Sequence, residues 1–292
     1  MPDDASSTLD PAQVFVHLVP TLFAPDDLAG GVAVMIDVLR ASTTICTALD
    51  AGAEAVVPLS EVPRTLALAR SDASGIAGGE REGKPPEGFD LGNSPSDYTA
   101  ESVGGRVVYF TTSNGTQALQ RMRQADEVII ASFVNRAAVI AYLRDQTRPI
   151  HFVCAGTDGA KTAEDILLAG CLARDLIGPA GLDCPIGTQL AVDHFTTRED
   201  NLRQTVRSGR GGRNLIDIGL EKDIDDALEH NRINLVPIWN LRTNRLAIAK
   251  NRSPGKPNDN RPTQKSPEPA ADTAAESQAD GADASDDGLG GW

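Results

Sequence analysis

The feature that most constrains this chain is a rhythm in which short, unbroken apolar runs alternate with segments of helical period. Val14–Val19, Val32–Val38, Ala55–Leu59, Val107–Thr112, Glu127–Ala131 and Ile150–Cys154 read as strands. Most of these runs are continuous rather than alternating in polarity. That pattern suits strands covered on both faces, as in a largely parallel sheet. Helical candidates follow several of them: Thr43–Ala51, Glu61–Arg70, Thr116–Gln124, Asn135–Asp145 and Ala163–Ile177. The rhythm predicts an α/β protein with three α/β/α layers around a largely parallel or mixed sheet. Past Ile177 the pattern blurs. It predicts a helix around Gly187–Arg207, another near Asp223–His230, and a closing pair of strands at Val236–Ile238 and Leu246–Ala249.

Composition sets the limits of the packed region. Residues 251–292 are rich in Pro, Ala, Asp, Ser and Gly and nearly lack large apolar side chains. Such a segment cannot bury enough surface to offset its ordering entropy, so it is expected to be a disordered acidic tail. Residues 1–12 are expected to be flexible, leaving 13–250 as one domain. The formal charge of −14 argues against a non-specific nucleic-acid binder, which needs a basic surface. No run of about 18 apolar residues is present and the acidic N-terminus lacks an apolar leader, so neither a membrane span nor secretion is expected. Four scattered cysteines form no C-x-x-C pair, which disfavours disulfides and a thiolate zinc site. A cytoplasmic protein follows as the expectation.

Ligands of open α/β sheets bind beyond the carboxyl ends of strands, and four exits here are unusual. Asp37-Val38-Leu39-Arg40-Ala41-Ser42-Thr43-Thr44 ends a buried strand in an acid, a base and hydroxyls. An acid there can hold a metal and Arg40 can fork onto an oxyanion. Equally, Asp37 can pair with Arg40 while Ser42 or Thr43 caps the next helix. The D-x-D-x-T pattern of haloacid-dehalogenase-type phosphatases is absent, because Leu39 stands at its third position. The stretch Gly78–Pro95 (GGEREGKPPEGFDLGNSP) follows a short strand-like Gly75–Ala77 and has too many Gly and Pro for regular structure. Its charges, Phe89 and Leu91 mark a functional loop rather than a linker.

The third exit, Thr111-Thr112-Ser113-Asn114-Gly115-Thr116, opens a helix with small polar residues. Free backbone N–H groups and the helix dipole would make it a phosphate or carboxylate cradle, although an ordinary N-cap uses the same residue types. The fourth runs from Cys154 through Gly156 to Glu164 and Asp165. It is not a Walker A loop, since Ala160 precedes Lys161, nor a Cys-x5-Arg loop, since Ala160 stands where the Arg should be. Thr162 with Asp165 fits a capping-box variant, so both acids have a structural explanation beside a metal role. Gly209–Asn214 (GRGGRN) reads as a basic, flexible loop able to touch an anion or, equally, as a solvated connector, and Asp217 as a further acid near a site. The four histidines show no ligand spacing.

Taken in order, DVLRASTT, GGEREGKPPEGFDLGNSP, TTSNGT and CAGTDGAKTAEDILLAG closely resemble the 2-phosphosulfolactate phosphatase (ComB-like) family, from about Val14 to Ala249. The resemblance implies an α/β/α fold and a magnesium-dependent acid phosphatase. Its implied reaction converts (2R)-2-phospho-3-sulfolactate to (2R)-3-sulfolactate and phosphate, a step of coenzyme M biosynthesis in methanogens. It further implies a catalytic set of Asp37, Arg40, Glu80 and Arg81. Substrate contacts are expected from Ser42, Thr43, Lys84, Thr112, Ser113, Asn114, Gly115, Thr116, Cys154 and Gly156. Candidate Mg2+ ligands are Asp37, Glu80, Asp90, Glu164 and Asp165, since Mg2+ takes one to three carboxylates and keeps several waters. The expected partner is a small phosphorylated, sulfonated carboxylic acid, with a homodimer as the expected assembly. Water is the simpler nucleophile, although Asp37, Ser113 and Cys154 also carry nucleophilic atoms. A non-catalytic binder of small organic anions on the same fold is the alternative.

Overall fold

The structure, a computed structural model, describes residues 9–178 and 183–248. The expectation of a disordered tail lies outside the described residues, as does most of the expectation about the N-terminus. Leu9 is already buried in the core and Asp10 caps a 3-10 turn at Pro11–Gln13, so the packed chain starts before residue 13.

The strands are β1 (Val14–His17), β2 (Val32–Ile36), β3 (Ala55–Pro58), β4 (Gly75–Gly79), β5 (Val107–Thr111), β6 (Glu127–Ala131), β7 (Ile150–Cys154), β8 (Pro237–Asn240) and β9 (Arg245–Ile248). They form one nine-stranded mixed sheet in the order β1-β7-β2-β6-β8-β9-β3-β5-β4. Every residue of β2 and β6 is buried, and the reason lies in where alternate side chains go. Val32, Val34 and Ile36 enter one core cluster with Phe152, while Ala33 and Met35 enter another with Phe110 and Trp239. Both faces are covered by helices, which is why the runs are continuous in sequence.

The helices are α1 (Ala41–Asp50), α2 (Val62–Ser71), α3 (Ala100–Val103), α4 (Gly115–Arg121), α5 (Arg136–Leu143), α6 (Ala163–Ile177), α7 (Ile186–Thr196), α8 (Leu202–Ser208), α9 (Arg210–Asp217) and α10 (Lys222–Ala227). The helix expected over Gly187–Arg207 is two, α7 and α8. At the end of α7 the Thr197 hydroxyl turns back onto the Asp193 carbonyl, and a 3-10 turn at Glu199–Asn201 follows. Thr188 closes the free edge of β1: its Oγ1 accepts from Val16 N at 3.1 Å and donates to Val14 O at 2.7 Å.

The expected closing strands exist as a hairpin, but they lie at the middle of the sheet and not at an edge. β8 meets β6 antiparallel at Ile238↔Ile129, and β9 meets β3 antiparallel at Leu246↔Val56. The hairpin thereby joins two parallel blocks, β1-β7-β2-β6 and β3-β5-β4, that run in opposite senses. Trp239 is its buried anchor, and Asn244 in the turn donates to Pro58 O at 2.9 Å. Trp239→Ala should therefore lower the unfolding free energy by about 3–5 kcal/mol in urea titrations. A loss below about 1 kcal/mol would show that the hairpin does not join the blocks.

Candidate active site

The exits of both blocks converge on one cavity of about 420 Å³. Its walls come from the end of β2 (Asp37, Leu39, Arg40), the turn after β4 (Glu80, Glu82, Gly83) and the turn after β5 (Thr112, Ser113, Asn114). Asn93, the loop after β7 (Thr157, Asp158), helix α9 (Gly211, Asn214, Leu215, Asp217) and Ile218 just beyond it complete them.

Glu80 is buried and its carboxylate accepts from Ser113 N and from Gly83 N, each at 2.8 Å. It therefore ties the β4 turn to the β5 turn. Asp37 approaches the same β5 turn: a Cβ placed on Gly115 would lie 2.7 Å from Asp37 Oδ2, so only glycine fits there. The side-chain bond Asp37 makes to a protein donor is a long one, 3.3 Å from Ala41 N. Burial, the Asp165 carboxylate and the Glu80 carboxylate push its pKa from 3.8 to about 8.

Arg40 does not pair with Asp37. Its guanidinium donates to Asp223 at 2.8 Å and to Gly83 O at 2.9 Å, and the Ser94 hydroxyl bonds both Asp223 oxygens at 2.5 and 2.6 Å. A buried ion pair needs such satisfied geometry to be tolerated, and here it fixes the cation at the cavity wall. Asp223 carried no signal in the sequence, and Ser94 was covered only as part of the Gly78–Pro95 loop. Asp223 sits in an acidic run, KDIDD, where nothing sets it apart from Asp225 or Asp226.

Several expected site residues have other work. Asp165 is saturated: it accepts from Val38 N (2.9 Å), Gly156 N (3.0 Å) and the Thr162 hydroxyl (3.0 Å), and it does not line the cavity. The Gly156 N–H is thus spent on Asp165 and not offered to a phosphate. Burial raises the Asp165 pKa to about 6 against those bonds. Glu164 is buried behind Gly211, its Oε2 has no hydrogen-bond partner among the described residues, and burial with the Asp165 charge raises its pKa to about 8. Asp90 is directed back to the β4 edge, bonding Ala77 N at 2.8 Å and Arg70 at 3.3 Å, so it is no metal ligand of this cavity.

Arg81 braces the turn through Glu80 O, Ser60 O and Thr111 Oγ1, and Lys84 is exposed; neither lines the cavity. Ser42 bonds Asp37 N and Thr43 bonds Val38 O and Ser132, both fully buried. They brace the β2 exit; α1 has no side-chain cap. The Cys154 thiol is buried, and burial with the Asp165 and Glu164 charges pushes its pKa well up, so it stays protonated and is no nucleophile.

The cradle after β5 is only partly open. Ser113 N is occupied by Glu80, Thr116 N by Thr112 Oγ1, and Asn114 Oδ1 accepts from Asp158 N at 3.0 Å. Thr112, Ser113 and Asn114 still face the cavity, whereas Thr116 is buried beneath it. Finally, GRGGRN is helical and not a flexible loop. A Cβ on Gly211 would meet Glu164 Oε1 at 2.0 Å and one on Gly212 would meet Val206 O at 2.1 Å, so these glycines serve close packing of α9.

A model of the family described as 2-phosphosulpholactate phosphatase matches residues 17–241, which include every side chain of this cavity. This chain belongs to that family. Among relatives in the 2-phosphosulpholactate phosphatase family, one named probable 2-phosphosulfolactate phosphatase from Thermotoga petrophila is 38% identical over 205 residues, 70% of this chain and 87% of the relative. Proteins of the same name from Symbiobacterium thermophilum and a Synechocystis strain are 37% and 34% identical, covering 73% and 77% of this chain and 93% and 95% of their own lengths.

The titration of this family member's buried acids has a measurable consequence. With pKa values raised from 3.8 and 4.5 to about 8, Asp37 and Glu164 hold protons when folded that the unfolded chain releases. Stability is therefore highest below about pH 4 with respect to these groups and falls as pH rises toward 8. In EDTA at pH 8, Asp37→Asn should melt above the native protein, and the gap should shrink toward pH 5. A lower melting temperature for Asp37→Asn at pH 8 would contradict the assigned burden on Asp37.

Proposed function

We propose that the protein is a divalent-cation-dependent phosphomonoesterase whose substrate is (2R)-2-phospho-3-sulfolactate, with Mg2+ as the cation. The observation that carries this reading is electrostatic. Among the described residues, the cavity is lined by Asp37, Glu80, Glu82, Asp158 and Asp217 against a single guanidinium, Arg40, already paired with Asp223. A substrate bearing phosphate, carboxylate and sulfonate enters such a cavity only with added positive charge. Relatives named for this reaction support the substrate.

The donor set fits a hard cation held by few protein ligands. Asp37 and Glu80 face the cavity, and Asp37 is under-bonded for a buried carboxyl. Among the described residues no group of three or more His, Cys, Asp or Glu forms a metal cage. Mg2+ keeps waters and shares substrate oxygens, so two carboxylates suffice. When bound, the ion neutralises phosphoryl oxygens and lowers the pKa of a coordinated water. Asp37 and Glu80 would hold it, and Glu80 keeps its place through the Ser113 and Gly83 amides. Arg40, held still by Asp223, presents its remaining N–H edge to an anionic oxygen, and the hydroxyls of Thr112 and Ser113 add neutral donors. A volume of about 420 Å³ suits a molecule of this size.

Purified protein should release phosphate from phosphosulfolactate, lose the activity in EDTA and regain it with Mg2+. Asp37→Asn and Glu80→Gln should each reduce kcat/KM at least about a hundredfold while folding is kept. Binding of the ester without phosphate release would support a non-catalytic anion binder instead.

A further inference from the structure

One arginine of the GRGGRN segment reaches the rim of the cavity. Arg210 opens α9 beside Gly211, which lines the wall. Its guanidinium crosses to the loop after β7, donating to Asp158 Oδ2 at 2.7 Å and to Thr157 O at 3.2 Å. Both of these residues belong to the wall. That loop is held from elsewhere as well. Asn114 Oδ1 accepts from Asp158 N at 3.0 Å, and Thr157 and Ala160 exchange backbone bonds at 2.9 Å. The guanidinium is therefore laid against a fixed stretch of the wall.

This pairing differs in kind from that of Arg40. The Arg40 and Asp223 side chains are each 3% exposed, and the Ser94 hydroxyl secures the acid. The Arg210 and Asp158 side chains are 43% and 68% exposed. Ion pairs in contact with water contribute little to stability, so this one can be exchanged at small cost. A guanidinium also carries five N–H donors, more than these two bonds engage.

Depth decides which part of a ligand can meet it. Asp37 and Glu80 are buried, and the phosphoryl group belongs with them. In phosphosulfolactate the carboxylate sits on the carbon that carries the ester oxygen, and the sulfonate sits one carbon further out. The sulfonate is thus the charge that extends from the buried acids toward the rim. The wall acids Glu82, Asp158 and Asp217 repel it there unless a cation intervenes.

We propose that Arg210 is a specificity-determining residue that leaves the Asp158 carboxylate to bind the sulfonate of the ligand. Asp158 holds the guanidinium at the rim and competes with the sulfonate for it. The inference deepens the hydrolytic reading above and rests on it for which end of the ligand lies deepest, yet its test needs no turnover.

Calorimetric titrations in MgCl2 would compare 3-sulfolactate with lactate, the same hydroxy acid without the sulfonate; inorganic phosphate serves as a control. The native protein should bind sulfolactate at least about tenfold more tightly than lactate. Arg210→Gln should bring the two within about twofold, with phosphate affinity and melting temperature retained, and Arg210→Lys should keep part of the preference. Asp158→Asn removes the competitor, so it should tighten sulfolactate severalfold, and much less so when Arg210 is already Gln. A bond that merely holds the rim together would instead weaken sulfolactate alike in Arg210→Gln and Asp158→Asn, and that result would overturn the proposal. Equal binding of the two acids by the native protein, binding of neither, or an undiminished preference in Arg210→Gln would overturn it too. A native protein that shows the preference, and loses it in Arg210→Gln, but releases no phosphate from the ester would remove the hydrolytic reading alone.

Discussion

Taking a carboxylate out of water costs several kcal/mol unless its oxygens are occupied, and this fold buries a set of them where its strands end. Each occupied one also serves as a tie. Asp165 joins the exit of β2 to the exit of β7 and to the first turn of α6 through three donors. Glu80 joins the turns after β4 and β5, and Asp223 joins Arg40 to the Asn93-Ser94 segment. The loops that shape the cavity are held by acids whose demands are met. Asp37 stands at the centre with its demand unmet, and the excess negative charge around it marks the place for a cation.

Much of the sheet was legible because burial on both faces leaves a plain trace. β6, β7 and α6 have the bounds that their apolar runs imply, and β2, β3 and β5 are shorter than the runs by one or two residues. The position of the β8–β9 hairpin was not legible. Two four-residue strands carry no information about which neighbours they meet, and here each meets its outer neighbour through a single residue pair. The helix α9 was hidden for a different reason. Gly211 and Gly212 look like flexibility in a sequence, whereas their lack of a side chain lets α9 press against Glu164 and the end of α8.

The site divides in the same way. Acids and hydroxyls at strand exits stood out, and Asp37, Arg40, Glu80, Thr112, Ser113 and Asn114 all line one cavity. The sequence could not separate residues facing the cavity from those bracing it, since both need polar atoms. Ser42, Thr43, Gly156 and Asp165 belong to the bracing group, as the donors and acceptors they engage make plain. Asp223 becomes visible only when hydrogen bonds are followed atom by atom.

The central claim is that Asp37 carries an uncompensated burden that a divalent cation relieves. Titration of Mg2+ at pH 7, repeated in buffers of different ionisation enthalpy, counts the protons displaced on binding. With the Asp37 pKa near 8, the account requires net proton release by the native protein and a clearly smaller release by Asp37→Asn. Binding without proton release, or equal release by both proteins, would contradict it.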